Sequence, residues 1–207
     1  MMGAAAGAAN AAGAVARAAA SAVVRAAAVA AALLAMMGPV AAAGASQIPA
    51  HIQTELAQAR LAGQGSYSYF GLKIYDAQLW VGAQGYQASA PETHKFVLEL
   101  RYARQLNGQK IAQASADQME KIGAGTPEQR QAWLVRMSRL FPDVKAGTRL
   151  GGVFLPGQGA RFYLDGQFLD EVPDPAFARA FFAIWLAPAS TAQRLRDALL
   201  AGAAADR

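Results

Sequence analysis

The sequence predicts an α+β domain built around an antiparallel sheet, and three observations predict this class. Residues 95–103 alternate with the period of two that is typical of a strand buried on one face. Asp165-Gly166 is a two-residue signal for a tight hairpin between two further strands. Four further segments, in two consecutive pairs, begin with residues typical of a helix start and carry apolar residues at helical spacing. The order of strands, two helices, strands and two helices indicates an antiparallel sheet with separate helices.

The first strands lie in SYSYFGLKIY, residues 66–75, which alternates along its whole length. We interpret it as one strand that breaks at Asp76 and leads to a second short strand over residues 77–81. In this interpretation Tyr67, Lys73 and Tyr75 share one face of the sheet. The strand over residues 95–103 places Tyr102 on its apolar face.

The four helices are predicted from polar N-cap residues and from prolines at the first helical position. Polar caps accept hydrogen bonds from the first free N–H groups, and proline fits the first turn. The four start signals are Asn107, Thr126-Pro127, Asp174-Pro175 and Ser190 or Thr191. The first of these helices is expected to run to Ile122, where Gly123 follows.

The turn at Asp165-Gly166 fixes a register for the strands on either side of it. The predicted pairs are Leu164 with Gln167, Tyr163 with Phe168, Phe162 with Leu169, and Arg161 with Asp170. Arg161 is therefore interpreted as an ion-paired strand residue. Gly157 and Gly159 precede a strand, whereas a phosphate-binding loop precedes a helix, so we interpret them as a strand-joining loop.

Residues 1–45 have the pattern of a secretory signal peptide. Arg17 and Arg25 precede an uncharged run that ends in small residues, and Gly38-Pro39 interrupts it. A retained membrane anchor is the alternative, and we favour removal because an alanine-rich run is only weakly apolar. The domain is then residues 46–207, which contain no cysteine. An exported chain without disulfides fits the bacterial periplasm, with membrane attachment only through an uncleaved N-terminal segment.

Charge and motifs exclude several function classes. The net charge is +5, and the loss of Arg17 and Arg25 leaves a modest +3 that is scattered among acidic residues, so no nucleic-acid partner is expected. His51 and His94 lack neighbouring ligands at metal spacing, and we expect neither a metal nor another cofactor. No G-x-S-x-G motif surrounds a serine.

Three separated blocks resemble the chalcone isomerase-like family, in its bacterial exported branch. They are GQGSYSYFGLKIYDAQLWV at 63–81, FVLELRYARQLNGQKIAQAS at 96–115 and LFPDVKAGTRLGGVFLPGQGARFYLDGQFLDEVPDPAFARAFFAIWL at 140–186. The resemblance covers about residues 60–201 and implies an open-faced β-sandwich, an antiparallel sheet with helices packed on one face. That family includes plant enzymes that close a flavanone ring and relatives that bind fatty acids without catalysis.

The positions that carry catalysis in that family differ here. The resemblance implies an arginine where Tyr67 stands and a threonine where Tyr75 stands. It also implies tyrosine, lysine and asparagine near Ile111, Ala114 and Gln118. Ring closure needs a phenolate held near donors that stabilise an enolate, so we assign no catalytic residue and favour a protein that is not an enzyme.

We therefore predict a non-catalytic periplasmic protein that binds a hydrophobic or fatty-acid-like molecule between sheet and helices. The predicted ligand-binding residues are Tyr67, Lys73, Tyr75 and Tyr102. Lys73 or Arg101 is a candidate cation for an acidic ligand, although pairing of both with Glu99 is the alternative that we favour. Two other functions stay open: an isomerase or lyase with a rearranged site, and an envelope interaction protein without a pocket.

Overall fold

The computed structural model describes residues 48–204, and the predicted signal peptide lies outside them. In these residues six strands and five helices follow one another in the order α1, β1, β2, β3, α2, α3, β4, β5, β6, α4, α5. The strands are β1 Arg60–Tyr69, β2 Leu72–Val81, β3 Phe96–Tyr102, β4 Arg149–Leu155, β5 Gly159–Leu164 and β6 Gln167–Val172. The helices are α1 Ala50–Glu55, α2 Gly108–Lys121, α3 Pro127–Leu140, α4 Pro175–Leu186 and α5 Gln193–Leu200. No helix among them is long and apolar enough to cross a bilayer.

The sheet is a meander in which each strand pairs antiparallel with the next, β1 to β6. Helices α4 and α5 pack directly on one side of it, whereas α2 packs on α3 and α4, and all four helices contribute apolar side chains to the main core. Phe162, Phe177 and Met137 are almost fully buried in this main core. The observed architecture confirms the predicted α+β fold with helices on one face of an open antiparallel sheet.

Local capping chemistry places the helix starts as predicted in three cases. The Asn107 side chain accepts hydrogen bonds from the N–H groups of Gln109 and Lys110, and Thr126 and Gln129 form a reciprocal capping box. Asp174 caps α4 through two backbone N–H groups. The last helix differs from the prediction: it begins at Gln193 after an Ala192 cap, while the Ser190 hydroxyl accepts from the Ala192 N–H in the preceding turn.

The opposite face of the sheet carries α1, which the sequence did not predict. Ile52 and Leu56 lie over Trp80, Val97 and Val153 in a second, smaller apolar cluster. These three sheet residues alternate with main-core residues along their strands, so they point to the other face. The sheet therefore has one thick helical layer and one short helix behind it.

The strand boundaries correct the prediction near residue 70. A two-residue turn at Phe70-Gly71 divides the alternating segment into β1 and β2, and β2 continues without a break through Asp76. Both turn residues have positive φ, 47° and 75°, as a type I′ hairpin requires. Phenylalanine is not a residue that this turn favours, so the sequence did not indicate a turn there.

The hairpin at Asp165-Gly166 forms as predicted, but its register holds for only two pairs. Leu164 pairs with Gln167 and Tyr163 with Phe168, after which an irregularity shifts the register. Arg161 consequently lies opposite Glu171 rather than Asp170, and its Nε lies 2.9 Å from Glu171 Oε2. The ion-paired role predicted for Arg161 is correct, but the partner is different because a bulge inserts one residue.

Candidate functional site

A cleft of about 410 Å³ opens between the β1–β3 end of the sheet and helices α2 and α4. Most of the residues that line it are apolar or aromatic, and the polar ones come mainly from α2. The lining residues are Tyr67, Tyr69, Ile74, Tyr75, Leu100, Tyr102, Leu106, Lys110, Ile111, Ala114, Ser115, Asp117, Gln118, Lys121, Phe141, Leu150, Phe181, Ile184, Trp185, Thr191 and Ala192. A pocket of this size and lining is typical of small-molecule sites.

Three tyrosines form a row across the sheet wall of the cleft. The strand register places Tyr67 opposite Tyr75 and Tyr75 opposite Tyr102. The rings of Tyr67 and Tyr75 stack with centroids 5.3 Å apart, and those of Tyr75 and Tyr102 meet edge to face at 6.0 Å. Side chains on adjacent strands at one register position project from the same face, which is why the hairpin brings these residues together.

The hydroxyl groups of this row differ in their partners. Trp185 of α4 donates its indole N–H to the Tyr75 oxygen at 3.0 Å. The Tyr102 hydroxyl has no hydrogen-bond partner among residues 48–204, although the residue is only 3% exposed. Tyr102 therefore offers an unused polar group on an otherwise apolar wall.

Burial favours the protonated phenols of Tyr75 and Tyr102. Burial raises the pKa of Tyr75 well above its usual range; the nearby Tyr67 adds to the rise, and the hydrogen bond from Trp185 opposes it. Burial likewise raises the pKa of Tyr102, with a further contribution from Tyr75. A neutral phenol donates a hydrogen bond but is a poor nucleophile or base, so these groups are suited to holding an oxygen atom.

Lys73 lies apart from the three tyrosines. Its Nζ contacts Asp76 Oδ1 at 2.6 Å, and the same carboxylate oxygen accepts from the Ser66 hydroxyl. The register shift between Tyr67 and Ser68 sets Lys73 opposite Ser68, and Lys73 does not line the cleft. Of the four residues proposed from the sequence, the structure thus brings three together and places Lys73 in a surface ion pair. Arg101 is exposed and does not line the cleft either.

Helix α2 supplies the wall opposite the tyrosines. Ile111, Ala114 and Gln118, which occupy the positions compared with the family's catalytic helix, all line the cleft. Gln118 Oε1 accepts a hydrogen bond from Thr191 at 2.6 Å. An aliphatic side chain, a methyl group and an amide at these places provide no acid, base or nucleophile.

Two lysines that the sequence reasoning did not select also line the cleft. Lys110 and Lys121 are exposed and frame its mouth from the two ends of α2, and Asp117 lies between them in sequence. Neither lysine takes part in an ion pair in residues 48–204. Their spacing of eleven residues is three helical turns, which is the signal that sets them on the same helix face as Ala114.

The chemical capacity of the cleft follows from these groups. It can enclose an apolar chain, donate hydrogen bonds from neutral phenols and pair an anion with ammonium groups at its mouth. Within the described residues no group of three His, Cys, Asp or Glu side chains is arranged to hold a metal. An open antiparallel sheet with helices over one face and a cleft between them defines the class of this α+β domain.

Within this class, the chain belongs to the chalcone isomerase-like family, because a family model of that description matches residues 41–201. A Haemophilus influenzae protein described as uncharacterized is 28% identical over 138 residues, which are 67% of this chain and 66% of that protein. The chain thus spans just under two thirds of that relative. The crystal structure of an Arabidopsis thaliana fatty-acid binding protein has a similar fold, with a TM-score of 0.55 and 14% identity over 71% of this chain and 89% of that one. Membership of the chalcone isomerase-like family, inferred from the three sequence blocks, is confirmed.

Proposed function

We propose that this protein binds a fatty-acid-like amphipathic molecule in the cleft and does not transform it. The observation that carries the proposal is the pairing of an apolar interior with two unpaired lysines at the mouth. The volume of about 410 Å³ falls in the range of small-molecule sites, roughly 300–1,000 Å³. The fatty-acid binding protein of similar fold supports the same ligand class.

The acidic head group is placed at the mouth by electrostatics. A carboxylate buried without a cation carries a large desolvation penalty, and Tyr67 stands where the family's enzymes have an arginine. The ammonium groups of Lys110 and Lys121 are the cations that line the cleft. The apolar chain then extends inward over Leu100, Leu150 and Phe181 toward the unpaired Tyr102 hydroxyl.

Catalysis of the isomerase or lyase kind is disfavoured by the protonation of Tyr75 and Tyr102. Such a site would require a phenol with a lowered pKa beside a cation. Burial has the opposite effect on Tyr75 and Tyr102, whose pKa values are raised. The open cleft likewise argues against an interaction protein without a pocket.

Export to the periplasm is part of the same proposal. It is supported by the signal pattern of residues 1–45 and by the absence of cysteine from the chain. Fractionation of the producing cells, with N-terminal sequencing of the recovered protein, tests it. Recovery from the cytoplasm with residues 1–45 intact would contradict it.

Binding is tested by calorimetry with palmitate and with the corresponding fatty alcohol. The double variant Lys110→Ala with Lys121→Ala is expected to lose about tenfold in affinity for palmitate and little for the alcohol, because only the acid carries a charge. Lys145→Ala is the matched control, since Lys145 is exposed and does not line the cleft. Ile111→Trp should fill the cleft and remove binding of both. If neither molecule binds the unaltered protein, the proposal is wrong.

A further inference from the structure

The tip of the β1–β2 hairpin exposes an unusual amount of apolar surface. Tyr69 is 59% exposed, Phe70 87% and Leu72 52%, and the three are consecutive around the turn apart from Gly71. Single exposed apolar residues are common, but three together at a protruding tip indicate a contact surface. We refer to these three residues as the aromatic tip.

The backbone geometry of the turn indicates that the phenylalanine at position 70 does not serve the stability of the fold. Phe70-Gly71 has φ values of 47° and 75°, and Asp165-Gly166 has nearly the same values, 48° and 83°. The second turn uses Asp-Gly, a sequence that this geometry prefers, whereas a bulky residue at positive φ is strained. The first hairpin therefore places a large aromatic ring at a position where asparagine or aspartate would be more stable.

The aromatic tip adjoins the cleft, whose lining includes two exposed lysines and one exposed aspartate. Tyr69 packs against Phe70 with ring centroids 4.5 Å apart, and Tyr69 also lines the cleft. Lys110 and Lys121 line the same cleft without a carboxylate partner in the described chain. Arg101, next to the end of β3, is exposed at the same end of the sheet as the hairpin turn, where it lies opposite Asp76 and helps to hold the pKa of that carboxyl below its usual range.

We propose that the aromatic tip docks on an anionic phospholipid bilayer and inserts Phe70 and Leu72 at the interface. Tyrosine and phenylalanine rings with basic residues around them suit that boundary, where the rings leave water and the cations meet lipid phosphates. A protein partner is less favoured, because three side chains fall well short of the roughly 800 Å² that each side of a stable protein interface buries. Docking does not require a loaded cleft. It would bring the cleft mouth to the bilayer surface.

The test compares the purified protein with Phe70→Asn in sedimentation with vesicles. One set of vesicles contains equal parts of phosphatidylglycerol and phosphatidylcholine, and the other contains phosphatidylcholine alone. We expect the protein to bind the anionic vesicles, less so at high salt, and Phe70→Asn to bind them about tenfold more weakly. Any attraction due to residues 1–45 is shared by both proteins, so their ratio reports on the aromatic tip. Val135→Asn is the matched control, because Val135 is an exposed apolar residue on α3.

Stability and ligand binding separate this inference from a folding defect and from the proposed function. Asparagine suits the turn, so Phe70→Asn should melt at a higher temperature than the unaltered protein while it binds vesicles less. Its affinity for palmitate in solution should be unchanged, since Phe70 does not line the cleft. Equal vesicle binding by the two proteins, or no binding to anionic vesicles, would overturn the proposal. A Phe70-dependent dimer without vesicles would also overturn it, because a second copy would then cover the tip.

Discussion

Trp185 and Tyr75 join α4 to the sheet at the inner wall of the cleft through a hydrogen bond of 3.0 Å from the indole N–H to the phenol oxygen. Trp185 is 6% exposed, so its N–H has little access to water if that acceptor is removed. A buried donor that loses its acceptor costs the free energy of its desolvation. This bond therefore fixes the position of the tyrosine row relative to the helical layer.

We predict that Tyr75→Phe lowers the free energy of unfolding by about 1–3 kcal/mol, because it leaves the Trp185 N–H unpaired. Tyr67→Phe, which removes a hydroxyl from the neighbouring ring, serves as the control and should cost less than about 1 kcal/mol. Urea unfolding followed by tryptophan fluorescence measures both. Equal losses in the two variants would show that the hydrogen bond contributes little.

The raised pKa values of Tyr75 and Tyr102 predict a loss of stability in alkali. Both phenols stay protonated in the folded chain after the unfolded chain begins to ionise near its ordinary pKa of 10.0. Their contribution is complete below that pH and is lost as the pH rises above it, by about 1.4 kcal/mol per pH unit for each phenol. Unfolding should therefore become easier above about pH 10.

The double variant Tyr75→Phe with Tyr102→Phe should show a shallower decline over that alkaline range. Urea titrations at several pH values measure the slope, and ultraviolet absorbance of the phenolates follows the ionisation directly. Tyr69→Phe is the control because Tyr69 is 59% exposed. A slope that is unchanged in the double variant would contradict the assignment.

The lowered pKa of Glu55 predicts a loss of stability in acid. Its side chain, 4% exposed, accepts hydrogen bonds from Tyr163 and Arg161 at 2.6 Å each and from Lys95 at 3.1 Å. Burial alone would raise the pKa of Glu55, but these three donors outweigh it and hold the pKa below the ordinary 4.5. Their stabilisation is complete above that pH and is lost as the pH falls through the lowered pKa.

Glu55→Gln should cost about 1–3 kcal/mol at neutral pH, because the charge-assisted hydrogen bonds that fasten α1 to the sheet are weakened. The variant should also lose less further stability than the unaltered protein between neutral and acidic pH. Chemical unfolding at the two pH values measures both effects. An acid response identical in both proteins would place the acid-sensitive group elsewhere.

The close packing of α5 against β1 at Gly63 predicts that an added methyl group there lowers stability. A Cβ atom added at Gly63 would lie well inside contact distance of the backbone oxygens of Ala198 and Leu199. A Cβ at Gly65 would instead meet the Cδ1 end of the Leu195 side chain, at 2.8 Å. We expect Gly63→Ala to cost about 3 kcal/mol or more and Gly65→Ala to cost less, since a side-chain end moves more easily than backbone. Melting temperatures of the two variants decide this, and a reversed order would show that α5 moves freely.

Features encoded by neighbouring residues were predictable from the sequence, whereas features that depend on packing were not. Asn107 and Asp174 cap their helices because the acceptor and the N–H groups lie within three residues of each other. The turn at Phe70 was missed because alternation continues across it and phenylalanine gives no local turn signal. The bulge that gives Arg161 the partner Glu171 likewise leaves no mark on the alternation.

The candidate site likewise contains residues whose placement the sequence could predict and residues whose placement it could not. Tyr67 and Tyr75 share a face both in a continuous strand and in the observed hairpin, so the alternation placed them on one side whichever connection was correct. The face on which Lys73 lies depended on the connection between the strands. The register shift places its ammonium group beside Asp76 instead of in the cleft. Lys110 and Lys121 meet the cleft only because α2 faces the tyrosine row across it, which is a tertiary arrangement that helix periodicity alone does not specify.

Tyr67→Arg tests whether the missing inner cation decides where a carboxylate lies. An arginine there would bring a guanidinium beside Tyr75, whose ring stacks on that of Tyr67, and would offer two parallel hydrogen bonds to an acid. We expect palmitate to bind about tenfold more tightly and to become insensitive to the loss of Lys110 and Lys121, because its head group then moves inward. Tyr67→Leu, which fills similar space without charge, is the control, and calorimetry with palmitate and the fatty alcohol measures the difference. If Tyr67→Arg still depends on the two lysines, the head group stays at the mouth and the inner wall accepts only the apolar chain.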